Sequence, residues 1–212
     1  EAAFTTGSGA DTLTGGTGND TLSAGAGADT ISGENGDDTI VGAAGNDTIN
    51  GGAGDDNITG GTGVDTMTGG AGNDTYDFDA AGEVGVGESI VEAASGGTDV
   101  INVDATVDFT NMAASSFDEI EQIDIANSIT ATYTGAQLTG ETIELETASN
   151  GTTTAMVVNV AFGETADLSS VTATTNWTAG EDTITINGLG GNETITGTAE
   201  NDAINLGAGA DT

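Results

Sequence analysis

Eight aspartates stand at an unbroken nine-residue interval: Asp11, Asp20, Asp29, Asp38, Asp47, Asp56, Asp65 and Asp74. Two residues before each lies a glycine: Gly9, Gly18, Gly27, Gly36, Gly45, Gly54, Gly63 and Gly72. Two residues after each lies an apolar or aromatic side chain: Leu13, Leu22, Ile31, Ile40, Ile49, Ile58, Met67 and Tyr76. Carboxylates and glycine carbonyls offer oxygen only, the donor set of hard divalent cations. Calcium suits it best, because it accepts mixed carboxylate and carbonyl ligands in a flexible shell, whereas magnesium demands tighter geometry and keeps its waters. The remaining composition closes most other chemistry. The chain has 35 Asp and Glu, no Lys, Arg or His, no Cys and no Pro, for a formal charge of -35 over 212 residues. Ser-His-Asp and Cys-His catalysis, Schiff bases and His- or thiolate-bound zinc each lose a required residue. With no cation to meet phosphate, nucleic acid is excluded as a partner.

The elements that must position these residues follow from the nonapeptide itself. Its unit reads Gly-Gly-x-Gly-x-Asp-x-U-x, with U apolar, and is complete from Gly15 to Ser23 and from Gly69 to Asp77. Six residues of Gly, Asn and Asp make a turn that requires positive φ and close backbone approach. The other three supply a short strand with one inward side chain. Two units then make one eighteen-residue coil of two strands and two turns. One apolar side chain per nine residues is a thin core. An acidic chain with 4 % aromatic residues would otherwise be disordered. A cation that removes the repulsion between aspartates and ties the turns together is therefore expected to fold it.

These three locked columns resemble the RTX nonapeptide family. The resemblance implies an all-β chain: a right-handed parallel β-roll with calcium held between the turns of successive coils. Residues eighteen apart then stack, Asp11 with Asp29, Asp20 with Asp38 and so on to Asp56 with Asp74, giving up to six sites in this roll. The implied ligands are the eight phased aspartates with the carbonyls of Gly9, Gly18, Gly27, Gly36, Gly45, Gly54, Gly63 and Gly72. The Thr column (Thr12, Thr21, Thr30, Thr39, Thr48, Thr66, Thr75) suits a solvated strand face better than an ice- or crystal-binding array, since Asn57 breaks it.

The roll is expected over residues 1–79, a β-solenoid-like domain over 80–187, and a truncated second roll over 188–212. From Glu88 to Asn102 the chain is similar to the strand-turn-strand that follows such repeats. Beyond Val103 short alternating runs recur at Ile120–Ile125, Ile129–Tyr133, Thr142–Leu145, Met156–Val160 and Thr183–Ile186, an all-β pattern. Their spacing favours an irregular solenoid over a sandwich. Single helical turns are expected at Ala113–Phe117 or Gly135–Leu138, and loop turns at Ser149–Gly151 and Ala179–Glu181. Glu119, Glu121, Asp124, Glu144 and Glu146 invite a glycosidase reading, but alternation makes them outward strand residues. Trp177 alone is weak evidence for sugar stacking. The nine-residue phase returns with Glu193, Asp202 and Asp211 in the metal column and Ile195 and Ile204 at U. Asp202 and Asp211 are expected ligands of further calcium, while Glu193 departs from the motif and is expected to cap.

No apolar run approaches the roughly 18 residues that span a membrane, and no basic leader marks a signal peptide. The chain starts at Glu1 and stops at Thr212 within a repeat, which reads as a piece of a longer protein. The expected role is non-catalytic: a calcium-dependent structural section of a secreted bacterial surface-layer or extracellular matrix protein that assembles with copies of itself. The alternatives are an extender or ligand-binding section of a large RTX adhesin, or the tail of a type I-secreted hydrolase.

Overall fold

The computed structural model describes residues 1–92, 96–126, 128–139, 141–147, 154–161, 164–173, 183–198 and 202–212. The nonapeptides form β1 (Ala3–Thr5), β2 (Thr12–Thr17), β3 (Thr21–Ala26), β4 (Thr30–Asn35), β5 (Thr39–Ala44), β6 (Thr48–Ala53), β7 (Asn57–Thr62), β8 (Thr66–Ala71) and β9 (Thr75–Phe78). Each strand pairs in parallel with the one two places on, so odd strands build one sheet and even strands the other. The register is eighteen residues: Leu13 opposes Ile31 in one sheet and Leu22 opposes Ile40 in the other. The U column thereby stacks on itself and is buried from Leu13 to Tyr76. The period-two alternation of a strand leaves Thr12, Thr21, Thr30, Thr39, Thr48 and Thr66 exposed.

The strands are longer than the three residues expected from the motif. Pairing passes over the first glycine of the unit and resumes beyond it, as from Thr14–Ser32 to Gly16–Glu34. The second position therefore remains in the sheet, at positive φ even where it is Glu34 (78°) or Ala43 (82°).

Past the repeats come β10 (Ser89–Ile90), β11 (Val100–Val103), β12 (Val107–Asp108), β13 (Gln122–Ile125), β14 (Thr130–Thr134), β15 (Glu144–Thr147), β16 (Ala155–Val160), β17 (Thr165–Asp167), β18 (Thr172–Ala173), β19 (Thr183–Gly188), β20 (Thr194–Thr196) and β21 (Asp202–Asn205). The odd-strand sheet continues through β9-β11-β13-β15-β18 into a nine-stranded ladder. The even-strand sheet ends at β10, and a new five-stranded sheet, β12-β14-β16-β19-β21, takes over the opposite side. Among the described residues every ladder is parallel, so the middle of the chain is a solenoid and not a sandwich.

Its largely aliphatic core carries an aromatic cluster. Phe109 stacks on Tyr133 at 5.0 Å between ring centroids and meets Phe78 edge-on at 5.0 Å; Phe117 packs edge-on against Tyr133 at 5.6 Å. The wider coils close through both of the expected helical turns, 3₁₀ at Ala114–Ser116 and α at Gly135–Leu138, and through a 3₁₀ turn at Phe109–Asn111 that the sequence reading did not name. The last begins with a capping box, in which Thr134 and Gln137 each bond the other's backbone N–H. The loop turns expected at Ser149–Gly151 and Ala179–Glu181, and Trp177, lie outside the described residues.

Candidate metal centre

The parallel ladder brings each motif aspartate over the one eighteen residues before it, and the two carboxylate oxygens take different tasks. One oxygen holds the coils in step. Asp38 Oδ1 accepts from the Asp20 N–H at 2.7 Å, and Asp29, Asp47, Asp56, Asp65 and Asp74 do the same toward the coil before, at 2.7–2.8 Å. The other oxygen is left over. The Oδ2 atoms of Asp20, Asp29, Asp38, Asp47, Asp56, Asp65 and Asp74 are all buried with no hydrogen-bond partner. A buried polar atom left unsatisfied costs roughly 1–3 kcal/mol, more when charged, so a column of them calls for a counterpart.

The space beside these oxygens is shaped by the first glycine of the unit. A Cβ placed on Gly42 would lie 2.5 Å from Asp47 Oδ2 and 2.6 Å from the Gly60 carbonyl oxygen; on Gly15 it would lie 2.6 Å from Asp20 Oδ2 and 2.8 Å from the Gly33 carbonyl oxygen. Gly33 faces Asp38 Oδ2 and the Gly51 carbonyl, and Gly51 faces Asp56 Oδ2 and the Gly69 carbonyl, in the same way. Calcium–oxygen distances are about 2.3–2.6 Å. The cradle that a methyl group would fill is thus close to calcium-bonding distance from a carboxylate of one coil and a carbonyl of the next. The residues present fit the ion. Among the described residues no three carboxylates gather around one point, so carbonyls have to share the coordination.

Burial is the first cause that pushes these carboxyls up. Asp56 is raised to about 7 and Asp65 to about 6, with Asp38, Asp47 and Asp74 raised as well. The backbone N–H bond opposes the shift in each, and a neighbouring aspartate adds to it. A calcium-free roll therefore holds carboxylates that resist ionising, and a dication would reverse that preference.

The fourth-position glycines named from the sequence perform a backbone task that the structure makes plain. Gly9, Gly18, Gly27, Gly36, Gly45, Gly54, Gly63 and Gly72 all have positive φ, from 101° to 154°. Gly36 donates its N–H to the Ala53 carbonyl, and a Cβ on Gly54 would collide with the Gly36 carbonyl. Carbonyls of the first-position glycines Gly33, Gly51, Gly60 and Gly69 also lie beside the cradles that hold the aspartate Oδ2 atoms, and motif reading did not name them. The signal was available, since the unit carries a glycine there at Gly15, Gly33, Gly42, Gly51, Gly60 and Gly69. At the same position stands Ala24, fully buried and, between Ser23–Val41 and Gly25–Ala43, in register with Gly42.

The aspartate column also runs past the repeats. Glu88 Oε2 accepts from Asp65 N at 3.0 Å, Asp99 Oδ1 from Asp74 N at 2.8 Å, and Glu121 Oε2 from Asp99 N at 2.8 Å. Glu121 is thus a rung of the ladder; Glu119 and Glu144 are exposed, and Gln122 bridges Asp124 and Glu146 at the sheet surface. At the C-terminal repeat, Glu193 is buried in the aspartate place and its N–H donates to Asp211 Oδ1 at 3.2 Å. Asp202 stacks on Ile184 rather than on a carboxylate, and its oxygens accept from the Thr198 N–H and hydroxyl at 2.8 and 2.9 Å.

Comparison with known proteins agrees with this geometry. Residues 5–40, 41–76 and 187–212 match the family described as RTX calcium-binding nonapeptide repeat (4 copies). No curated protein and no solved structure matches the chain.

Proposed function

From the match of residues 5–40, 41–76 and 187–212 to the RTX calcium-binding nonapeptide repeat, we propose that the chain is a non-catalytic section of a secreted bacterial surface-layer or extracellular matrix protein, folded by calcium and joined to its own copies through calcium. The observation that carries the reading is the run of partnerless, buried Oδ2 atoms from Asp20 to Asp74 in a chain with no Lys, Arg or His. Apart from the N-terminal ammonium 3.9 Å from Asp20 Oδ1, every counterion for the column has to come from solution. Export fits this need: a chain unfolded where calcium is scarce folds outside, where calcium is plentiful.

Assembly follows from the same deficit of cations. With no basic side chain, no Lys or Arg salt bridge can form between copies, so bridging calcium and strand or apolar contacts have to supply the association. The continuous nine-stranded ladder favours, as the second reading, an extender section of a large adhesin. Calcium titration followed by circular dichroism and light scattering separates the two. A surface-layer section gains β-structure at roughly 10⁻⁴–10⁻³ M calcium, as extracellular modules do, and scatters light at a second, higher threshold. An adhesin section folds and stays monomeric. A roll fully folded in excess chelator at low ionic strength contradicts calcium-driven folding, and assembly in NaCl with calcium chelated contradicts bridging.

A further inference from the structure

Each first-position glycine has a counterpart one coil on, and at the end of the roll that counterpart changes. The pairings Ser89–Thr66 and Ile90–Met67 continue through Val91, whose N–H donates to the Met67 carbonyl at 2.9 Å. Glu92 then stands in register with Gly69, where the motif would repeat its glycine. Its carboxylate turns back over the turn below. Oε1 accepts from the Gly69 N–H at 2.8 Å and from the Tyr76 hydroxyl, which itself accepts from Gly69 N–H at 2.6 Å; Oε2 is 3.5 Å from the Gly70 nitrogen.

The same turn holds Asp74. Its side chain has no exposed surface, its Oδ2 lacks a hydrogen-bond partner, and its atoms are the nearest to a Cβ built on Gly69. Two carboxylates are therefore directed at one glycine with no basic residue in the chain to separate them. Tyr76 explains how Glu92 is held. It is the sole aromatic residue in a U column otherwise made of Leu, Ile and Met, and only a hydroxyl at the end of that ring reaches from the core to the turn.

We infer that the roll ends in a calcium site that the nonapeptide motif does not encode, in which Asp74 Oδ2 and the Glu92 carboxylate share one ion above Gly69. Tyr76 is its positioning residue. The site rests on the calcium reading of the roll, and it takes a second carboxylate where the repeat cradles take a glycine carbonyl. Since Asp74 N–H also bonds Asp99 Oδ1, the ion would fasten the last coil of the roll at the point where the odd-strand sheet passes into the solenoid.

The test uses the full chain and two probes. Calcium bound at saturation, counted by equilibrium dialysis with calcium alone, is expected to fall by one ion per chain in Glu92→Gln. It should stay unchanged in Glu83→Gln, a buried carboxylate on the same connection whose partner is the Ala80 N–H. Terbium(III), excited through tyrosine, is expected to emit from the wild-type chain and to lose more than half of that emission in Tyr76→Phe. An unchanged calcium count in a folded Glu92→Gln overturns the site while leaving calcium-driven folding intact. A wild-type chain that binds no calcium overturns both. Should Glu92→Gln fail to fold in saturating calcium, the luminescence decides: emission that persists in Tyr76→Phe places no ion beside Tyr76 and overturns the proposal.

Discussion

Gly42→Ala separates an occupied cradle from an ordinary packing defect. Gly42 does not have positive φ, so an alanine backbone is acceptable there, and Ala24 already holds the equivalent register position. The added methyl would sit 2.5 Å from Asp47 Oδ2 and 2.6 Å from the Gly60 carbonyl oxygen, where the ion is expected. The loss should therefore grow with calcium concentration. One site adds about 2.7 kcal/mol of stability at a free calcium concentration about 100-fold above its Kd, and about 0.4 kcal/mol at the Kd itself. For a chain of this size about 1 kcal/mol moves Tm by roughly 2–4 °C. On top of a calcium-independent deficit from the 2.6 Å contact with the Gly60 backbone oxygen, the gap between wild type and Gly42→Ala should thus widen by about 5–9 °C across that range, with one fewer calcium bound per chain. Scanning calorimetry at stepped calcium concentrations reads the first quantity and equilibrium dialysis the second. Gly54→Ala is the contrast: at φ 132° its Cβ meets the Gly36 carbonyl, so its Tm deficit should be large at every calcium level. A calcium-independent gap for Gly42→Ala, with full stoichiometry, refutes the cradle.

Ala24→Gly is the reciprocal change and should add calcium binding beside Asp29, seen as a higher dialysis count. Asp38→Asn should shift the calcium midpoint for folding upward, because it keeps the Oδ1 and backbone N–H that bond Asp20 and Asp56 but replaces the buried, partnerless Oδ2 with an amide nitrogen that cannot ligate calcium. Asp167→Asn removes the same charge from an exposed residue whose carboxylate accepts from the nearby Ser169 N–H and should leave the midpoint in place; equal shifts would make bulk charge the cause. The raised carboxyls set the pH response. Burial lifts Asp65 and Asp99 to about 6, Asp56 and Glu92 to about 7 and Glu88 to about 8, so the calcium-free fold binds protons that the unfolded chain releases. That contribution is present in full below the ordinary carboxylate range near 4 and is lost as pH rises through about 6 to 8. Calcium-free chain should gain β-structure by circular dichroism on acidification from pH 8 to 5, whereas calcium binding, which has to displace protons, should weaken; calorimetry in buffers of different ionisation enthalpy should detect proton release at pH 7.

The roll was legible in the sequence because its period is one-dimensional. A nine-residue repeat with a single inward side chain forces Leu13, Ile31, Ile49 and Met67 into one stack and Leu22, Ile40, Ile58 and Tyr76 into the other, and an all-acidic composition dictates that the counterion is a dissolved cation. The solenoid was legible more coarsely, because alternation reveals strands but not which strand each will pair with. Only the tertiary structure decided the division of labour within each carboxylate: Oδ1 is consumed by the backbone of the coil before, and Oδ2 is stranded. It also decided what each glycine does: the first and fourth glycines of the unit are alike as letters, yet the first lies beside an aspartate Oδ2 and a carbonyl of the next coil, as at Gly42, while the fourth holds positive φ against the backbone of the coil before, as at Gly54. Glu88, Asp99 and Glu121 lay off the nine-residue phase. Connections of irregular length return them to the column, and a change of spacing erases a periodic signal while a parallel ladder restores the contact.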